Sequence, residues 1–558
     1  MGGDFESAGD IYRQILDVEP NHPDTCQAYG ILCCQTGDYP SGSVYLARAA
    51  QLMPDNPDVH SNLGNALRVL EQFVDGAMMC RRAIELNPKH PGAWSNLSAC
   101  LRMTGEIQEA ESAAAQALKL APDFPEARIN RACALQSLGR LDLAVEEFEK
   151  AVKAAPGNLY AWNCYLFALQ YSDRHNAADL WTAAKKFGVH MGPNVARPKR
   201  ETLRRVGFLS GDFCQHPVGL FLEPLLENWD HSRHEIYLYS NKPDDDEVTE
   251  RLKKHIDGWR PIHAMGDEAA FDLIQKDEID LLVDLSGHTA KNRVRLVSMK
   301  PAAVQASWLG YSATTGLNQV DWMIGDPWVT PVGQEKNYSE RVYRLPNSFL
   351  SFSPPLFAPS SCRIAPHEGV RFASFNNPAK ISDASVAIWS SVLNAVPDSV
   401  LVLKYRSFGD EEVREAFRAK FARHKIGPER LEFHGWLPPS EHFLLYETID
   451  LALDTFPYTG ATTTVEALWM GVPVVTMTGD RYVSGMAASV LSSAGCGDWV
   501  TGSRAEFLEK CVELVSDGEG LSTFRKTLRS QLLASPLMNH PQFASDFQNG
   551  LDEMFVST

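Results

Sequence analysis

Through the first third of the chain, small apolar residues return every 34 positions. Ala49, Ala83, Ala117 and Ala151 form one column; Gly30, Gly64, Ser98 and Ala132 form a second; Gly42, Gly76, Ala110 and Ala144 form a third. Pro20, Pro54, Pro88, Pro122 and Pro156 keep the same spacing, and Pro23, Pro57, Pro91 and Pro125 follow three residues behind the first four. Polar turns recur at Gly3-Asp4-Phe5, Gly37-Asp38-Tyr39, Gly105-Glu106-Ile107 and Gly139-Arg140-Leu141. Small residues let two helices cross closely, and proline closes the second helix. Each period therefore predicts a helical hairpin that cannot bury its apolar face alone and must stack on its neighbours.

Several columns in one register identify tetratricopeptide repeats: a half unit at 1–23, full units at 24–57, 58–91, 92–125 and 126–159, and a degenerate unit from Tyr160. Stacking predicts a superhelix with a concave groove. Asn62, Asn96 and Asn130 share one position on the first helix of successive units. Asn is a poor helix former, so propensity does not account for them. The readings are a ladder of amides gripping the backbone of an extended peptide, or else hydrogen bonding between repeats or chance.

After Arg197-Pro198-Lys199-Arg200 the pattern changes to short apolar runs alternating with helical stretches. Val206–Leu209, Glu235–Tyr239, Leu281–Leu285 and Val304–Trp308 predict strands of one half. Val370–Phe375, Val400–Lys404, Leu431–Phe433, Leu451–Asp454 and Val472–Met477 predict those of a second, beyond a Pro- and Ser-rich loop from Ser351 to Pro366. Such alternation implies two parallel, doubly wound sheets, with a ligand cleft between them at the carboxyl ends of their strands. A last helix from about Pro541 to Phe555 is expected to pack back across the two halves. The expected division is repeats over 1–175, a connecting helix and linker over 176–200, α/β halves over 201–360 and 361–540, and a terminal helix over 541–558.

A length of 558 residues fits several domains. The net charge of −18 gives no basic face for nucleic acid or anionic membrane, and no apolar run reaches membrane-span length. The N-terminal MGGDFESAGD lacks signal-peptide character, and the eleven cysteines show no metal-ligand or CxxC spacing. A reducing cytoplasm is the expected location.

The candidate chemistry lies at strand ends. Asp454 to Thr464 ends a strand and opens a helix with Gly460 followed by Thr462, Thr463 and Thr464. Glycine, hydroxyls and free N–H groups at a helix N-terminus suit a diphosphate, although a single Thr there is ordinarily only a cap. Glu466 in the first turn suits a nucleotide ribose or, equally, the helix dipole. Lys380 follows the strand-loop Val370–Pro378, where an ammonium neutralises a leaving phosphate; a solvated surface lysine is the ordinary alternative. In GDFCQHPVG, Asp212 and His216 follow a strand end, and a turn needs neither. The run Asp244-Asp245-Asp246 is a solvated charge cluster rather than a metal site, since no apolar strand feeds its centre.

Four motifs, SGDFCQHP, LGYSATTG (Leu309 to Gly316), FNNPAKI (Phe375 to Ile381) and ATTTVEALWMGVPVVTM (Ala461 to Met477), occur in order behind the repeats. Together they resemble the O-linked N-acetylglucosamine transferases of glycosyltransferase family 41, in particular compact bacterial members. The resemblance implies a tetratricopeptide superhelix followed by a two-Rossmann (GT-B) fold, UDP-GlcNAc as donor substrate, protein Ser or Thr as acceptor, an inverting displacement, and neither cofactor nor metal. Carried across, His216 matches a histidine discussed as general base and Asp212 the aspartate beside it. Lys380 matches the essential lysine at the diphosphate. Leu309 and Gly310 match donor-pocket residues, and Asn377 replaces a glutamine there. Leu437 and His442 match residues around uracil and sugar, Thr462 and Thr463 phosphate binders, and Glu466 replaces a ribose-binding aspartate. Ala461 and Pro439 depart from a His and a Lys of the animal enzymes. These departures resemble the SPINDLY-type branch and keep GDP-fucose open as a donor. A tetratricopeptide scaffold with an inactive transferase half is the non-enzymatic alternative.

Overall fold

The computed structural model describes residues 5–360 and 363–558. The expected turn at Gly3-Asp4 and part of the expected inter-half loop, at 361 and 362, lie outside the described residues. The chain divides between Tyr165 and Leu166 into two compact units.

The first unit consists of helical hairpins: α1 (Phe5–Val18), α2 (Pro23–Gln35), α3 (Tyr39–Leu52), α4 (Pro57–Val69), α5 (Phe73–Leu86), α6 (Pro91–Thr104), α7 (Ile107–Leu120), α8 (Pro125–Ser137), α9 (Leu141–Ala154) and the start of α10 (Leu159–Tyr171). The second set of prolines opens α2, α4, α6 and α8, where a fixed φ and a missing N–H cost nothing. The glycine columns mark the crossings. A Cβ on Gly30 would lie 3.1 Å from the Gly42 carbonyl oxygen, and one on Gly42 would lie 3.0 Å from that of Gly30. Two residues of the Asn column, Asn96 and Asn130, bond between repeats. Asn96 Nδ2 donates to the carbonyl and hydroxyl of Ser61 at 3.3 Å each, and Asn130 Nδ2 to those of Ser95 at 3.0 and 2.9 Å. Those bonds use the amide N–H and not the amide oxygen.

The unit ends at Tyr165 rather than at 175, because the last turns of α10 pack into the second unit. Gln170 Nε2 donates to the Tyr311 hydroxyl at 3.4 Å, and the Tyr171 ring stacks on Tyr458 at 5.1 Å. α11 (Ala177–His190) also belongs there; Gly188 meets the Gly316 carbonyl so closely that a Cβ would sit 1.9 Å from its oxygen. Arg197 then ties the linker to the carbonyls of Met299 and Lys300.

The first α/β half runs β1 (Arg205–Ser210), α12 (Pro217–Glu227), β2 (Glu235–Ser240), α13 (Glu247–Leu252), β3 (Gly258–Pro261), α14 (Asp267–Lys276), β4 (Leu281–Asp284), α15 (Val294–Ser298), β5 (Val304–Ser307), β6 (Trp322–Gly325) and β7 (Arg341–Arg344). Its parallel sheet has the order β3-β2-β1-β4-β5-β6-β7. The second half runs β8 (Val370–Ser374), α16 (Asp383–Ala395), β9 (Ser399–Lys404), α17 (Glu411–Ala422), β10 (Leu431–His434), α18 (Pro439–Leu445), β11 (Leu451–Leu453), α19 (Thr462–Trp469), β12 (Val474–Met477), α20 (Tyr482–Ser493), β13 (Val500–Thr501), α21 (Arg504–Ser516) and α22 (Gly518–Leu533). Its order is β10-β9-β8-β11-β12-β13, again parallel. Strand order reverses between β1 and β4 in one sheet and between β8 and β11 in the other, which is where such sheets open a crevice for ligands. The predicted strands all appear; β3, β6, β7 and β13 are additions.

A buried carboxylate fastens the halves together. Asp326 Oδ1 accepts from the N–H groups of Trp328 and Val329, and Oδ2 from Phe349 N–H at 2.7 Å and from the Ser489 hydroxyl of α20. The terminal helix α23 (His540–Ser557) returns to the first half: Phe547 packs 4.5 Å from Trp308, and Asp552 pairs with Arg233 and His234 at 2.6 and 2.9 Å. Among the described residues no helix is long and apolar enough to cross a membrane.

Candidate active site

The second half builds its part of the site at the switch point between β8 and β11. Asp454, immediately after β11, is buried. Its Oδ1 accepts from Thr455 N–H and Gly460 N–H at 2.8 Å each, and its Oδ2 from the Thr476 hydroxyl at 2.7 Å. These bonds draw the 455–460 turn closed. Gly460 is obligatory there, since a Cβ would lie 2.6 and 2.8 Å from the hydroxyls of Thr463 and Thr464. α19 then begins at Thr462 with Ala461 as its cap residue and no side-chain cap, so its first N–H groups keep no side-chain partner. Thr463 donates to Asn376 Oδ1 at 3.0 Å, which fixes the helix mouth against the end of β8.

Lys380 reaches the same place from the other strand. The Asn377 side chain accepts from Ala379 N–H at 3.1 Å and caps a single 3₁₀ turn over Pro378–Lys380. The Lys380 ammonium donates to the Thr459 carbonyl at 3.1 Å and lies 4.0 Å from the centroid of the Tyr458 ring. Burial pushes it down to about 8, with the Asp454 carboxylate opposing. It is thus a desolvated cation beside an uncapped helix N-terminus, not a solvated surface lysine.

Glu466, one turn into α19, accepts through Oε2 from His442 Nε2 at 3.1 Å, and the His442 ring packs against Phe375 and Tyr446. Lys404, at the end of β9, is held below the usual lysine value by burial, with Glu466 opposing. Leu437 is half-buried on the loop between β10 and α18. Glu466 therefore serves as the centre of a polar cluster rather than as a helix-dipole acid alone.

In the first half, His216 caps α12: its Nδ1 accepts from Val218 N–H at 3.3 Å. Asp212 Oδ2 lies 3.8 Å from the same nitrogen. Desolvation holds the imidazole below its ordinary value; Asp212 opposes this and the Lys291 charge adds to it. Asp246 Oδ2 accepts from Gln215 N–H at 2.8 Å while its other oxygen caps α13, so the acidic run serves as a brace for the His216 loop. Among the described residues no group of three or more His, Cys, Asp or Glu is placed to hold a metal ion.

Leu309 and Gly310 follow β5. Leu309 takes a φ of 72°, and a Cβ on Gly310 would lie 1.8 Å from the Leu285 carbonyl oxygen and 3.4 Å from the Val218 methyl. Buried Glu340 clamps the far end of this loop, accepting from the Thr314 hydroxyl and Thr315 N–H at 2.7 Å each. Between those ends, burial pushes the Tyr458 phenol up to about 12, and the neighbouring Ser312 hydroxyl opposes this. One loop thus touches the residue two past His216 and the ring that carries Lys380. Sequence reasoning missed Tyr458, Ser312, Glu340 and Lys404, and read Asp246 as solvated where it holds two backbone N–H groups; Ser312 falls inside a quoted motif and Tyr458 inside the Asp454–Thr464 stretch, whereas Glu340 and Lys404 carry no motif of their own.

Residues 184–352 and 360–547 match the family model described as glycosyl transferase family 41, and residues 67–128 and 101–158 match tetratricopeptide repeat models. A mutant O-GlcNAc transferase from Thermobaculum terrenum superposes with a TM-score of 0.83 at 27% identity, covering 90% of this chain and 97% of that one. A probable UDP-N-acetylglucosamine–peptide N-acetylglucosaminyltransferase SPINDLY from Petunia hybrida is 32% identical over 70% of this chain and 43% of its own length. Its Arabidopsis thaliana counterpart is 34% identical over 65% of this chain and 40% of its own length. The chain spans less than half the length of these curated relatives.

Proposed function

We propose, from the premise that the chain belongs to glycosyl transferase family 41, that it is an inverting protein O-GlcNAc transferase. It moves N-acetylglucosamine from UDP-GlcNAc to a Ser or Thr hydroxyl, and its repeats bind the acceptor protein. The observation that carries this reading is the desolvated Lys380 ammonium beside the uncapped N-terminus of α19. In one displacement, the acceptor oxygen bonds to the anomeric carbon as the bond to UDP breaks. Lys380 and the Thr462–Thr463 mouth stabilise the charge arriving on the diphosphate. Glu466 and His442 hold the ribose, Leu437 the uracil, and Leu309, Gly310 and Asn377 the sugar side of the donor. Positive charge comes from the protein, so the reading needs neither metal nor cofactor, and turnover persists in chelator.

The His216 geometry bears on the base. A neutral imidazole that accepts through Nδ1 carries its proton on Nε2. His216 then donates a hydrogen bond through Nε2, Asp212 supports it electrostatically, and a donor phosphate oxygen takes the acceptor proton.

The amide oxygens of Asn62, Asn96 and Asn130 are the acceptors the repeats offer to a peptide backbone. The described cysteines are all unbridged, which suits a reducing cytoplasm as the site of action. A second reading, transfer of fucose from GDP-fucose, rests on Ala461 and Pro439, which stand where the animal enzymes carry a His and a Lys. Both are tested by mass spectrometry of a Ser/Thr peptide library incubated with either donor. Addition of N-acetylhexosamine, lost in Lys380→Met, supports the first; addition of deoxyhexose supports the second. A folded protein that transfers from neither is a scaffold.

A further inference from the structure

The last turn of α10 is fixed with unusual thoroughness for a segment outside both sheets. The buried Arg481 guanidinium donates to the carbonyls of Leu169 and Ser172 at 3.3 and 2.9 Å. Asp173 accepts from Ala384 N–H, at the start of α16, at 2.9 Å, and Asp480 accepts from Ala177 N–H at 3.0 Å. Gln170 is tied to the Tyr311 hydroxyl, and the Phe167 ring meets Tyr171 edge-on at 5.3 Å. Four hydrogen bonds from three other elements therefore set the backbone turn over 169–173, and the Asp480 bond fixes the start of α11 just beyond it. What that turn presents is the Tyr171 ring, stacked on Tyr458 at 5.1 Å with an interplanar angle of 20°.

Tyr458 has little freedom of its own. Its carbonyl accepts from the Thr455 hydroxyl at 2.6 Å, and its ring carries the Lys380 ammonium. The geometry points to Tyr171 as a positioning residue for Lys380: stacked on Tyr458, it fixes the ring on which the ammonium rests and excludes water from it. This rests on the reading of Lys380 as the group that meets the leaving diphosphate. A cation on an aromatic face gains most where water is absent, and its position is then set by the ring. The titratable groups around the ammonium are Asp454, from the end of β11, and Tyr458; Tyr171 in turn neighbours Tyr405.

A residue that only fills the core would affect the melting temperature and nothing else. A positioning residue also changes how Lys380 ionises. The test is competitive labelling of the full chain with an amine-reactive acylating agent across pH, with the Lys380 peptide read by mass spectrometry and no nucleotide present. The unaltered protein should titrate near about 8 at this site. In Tyr171→Leu and Tyr171→Met, water reaches the ammonium, and the midpoint should rise by about one pH unit or more toward the ordinary lysine value. Tyr171→Phe keeps the ring and should match the unaltered protein. With donor and acceptor, the Leu variant should lose turnover about tenfold at unchanged acceptor KM, and the Phe variant should not. An unshifted midpoint in a cooperatively melting Leu or Met variant overturns the inference. So does a Phe variant shifted as far as the Leu one, or loss of folding in both Leu and Met variants, which would make Tyr171 a core residue. Because the titration is read without nucleotide, it decides the role of Tyr171 separately from the donor, which nucleotide binding by the unaltered protein decides.

Discussion

The Lys380 ammonium and the Tyr458 ring lie 4.0 Å apart, and the same ammonium donates to the carbonyl of the next residue, Thr459, at 3.1 Å. A lysine from the end of β8 is thereby held over the loop that follows β11. Its ionisation sets the first prediction. Burial lowers Lys380 from 10.5 to about 8, so the ammonium is fully present below that value and lost as pH rises through it. Affinity for nucleoside diphosphate should be level up to about pH 7.5 and then fall by up to about tenfold per pH unit. Lys380→Met should remove both the affinity and its alkaline limb.

The His216 tautomer gives the second. If Nε2 donates and a phosphate oxygen is the base, Gln, which retains a donor, should substitute better than Ala. His216→Gln is expected within about tenfold of the unaltered turnover, and His216→Ala about a hundredfold down. Equal loss in the two variants, in a steady-state rate assay, would restore the imidazole as the base.

Glu466 and His442 form one unit, with 3.1 Å between Oε2 and Nε2. Glu466→Ala should weaken nucleoside diphosphate binding by about tenfold or more and leave binding of inorganic pyrophosphate unchanged, since the ribose contact alone is lost. Equilibrium binding of the two ligands checks this.

Asp326 is the buried fastening between the halves, with three backbone N–H groups and the Ser489 hydroxyl bonded to it. Asp326→Ala leaves those donors buried without an acceptor and should cost about 3–5 kcal/mol in urea unfolding, against about 1 kcal/mol for Ser489→Ala. A cost for Asp326→Ala no larger than that for Ser489→Ala would show the network to be slack.

The repeats were legible because each column states its reason locally: proline at a helix start, glycine where two backbones cross. The strands next to the site were legible as continuous apolar runs buried on both faces. β7 was not, because an edge strand reading Arg-Val-Tyr-Arg carries the charge that edges use against pairing, and β13 is two residues long. Lys380, His216 and the threonine mouth lie at strand ends inside recognisable motifs. Their supports do not: Glu340 and Asp246 act across tens of residues of sequence, and Tyr171 acts from a helix that the period assigns to the repeats. The Asn column was legible as a column, with bonding between repeats one of its readings, but its partners were not, because only the neighbouring repeat supplies Ser61 and Ser95.

The central claim is that the helix mouth at Thr462 and the ammonium of Lys380 form one diphosphate site. Isothermal titration with UDP and GDP, on the unaltered protein and on Lys380→Met, tests it most directly. One nucleotide should bind with one-to-one stoichiometry and lose at least about tenfold in affinity in the variant. Binding of neither, or equal affinity in both proteins, would contradict the claim.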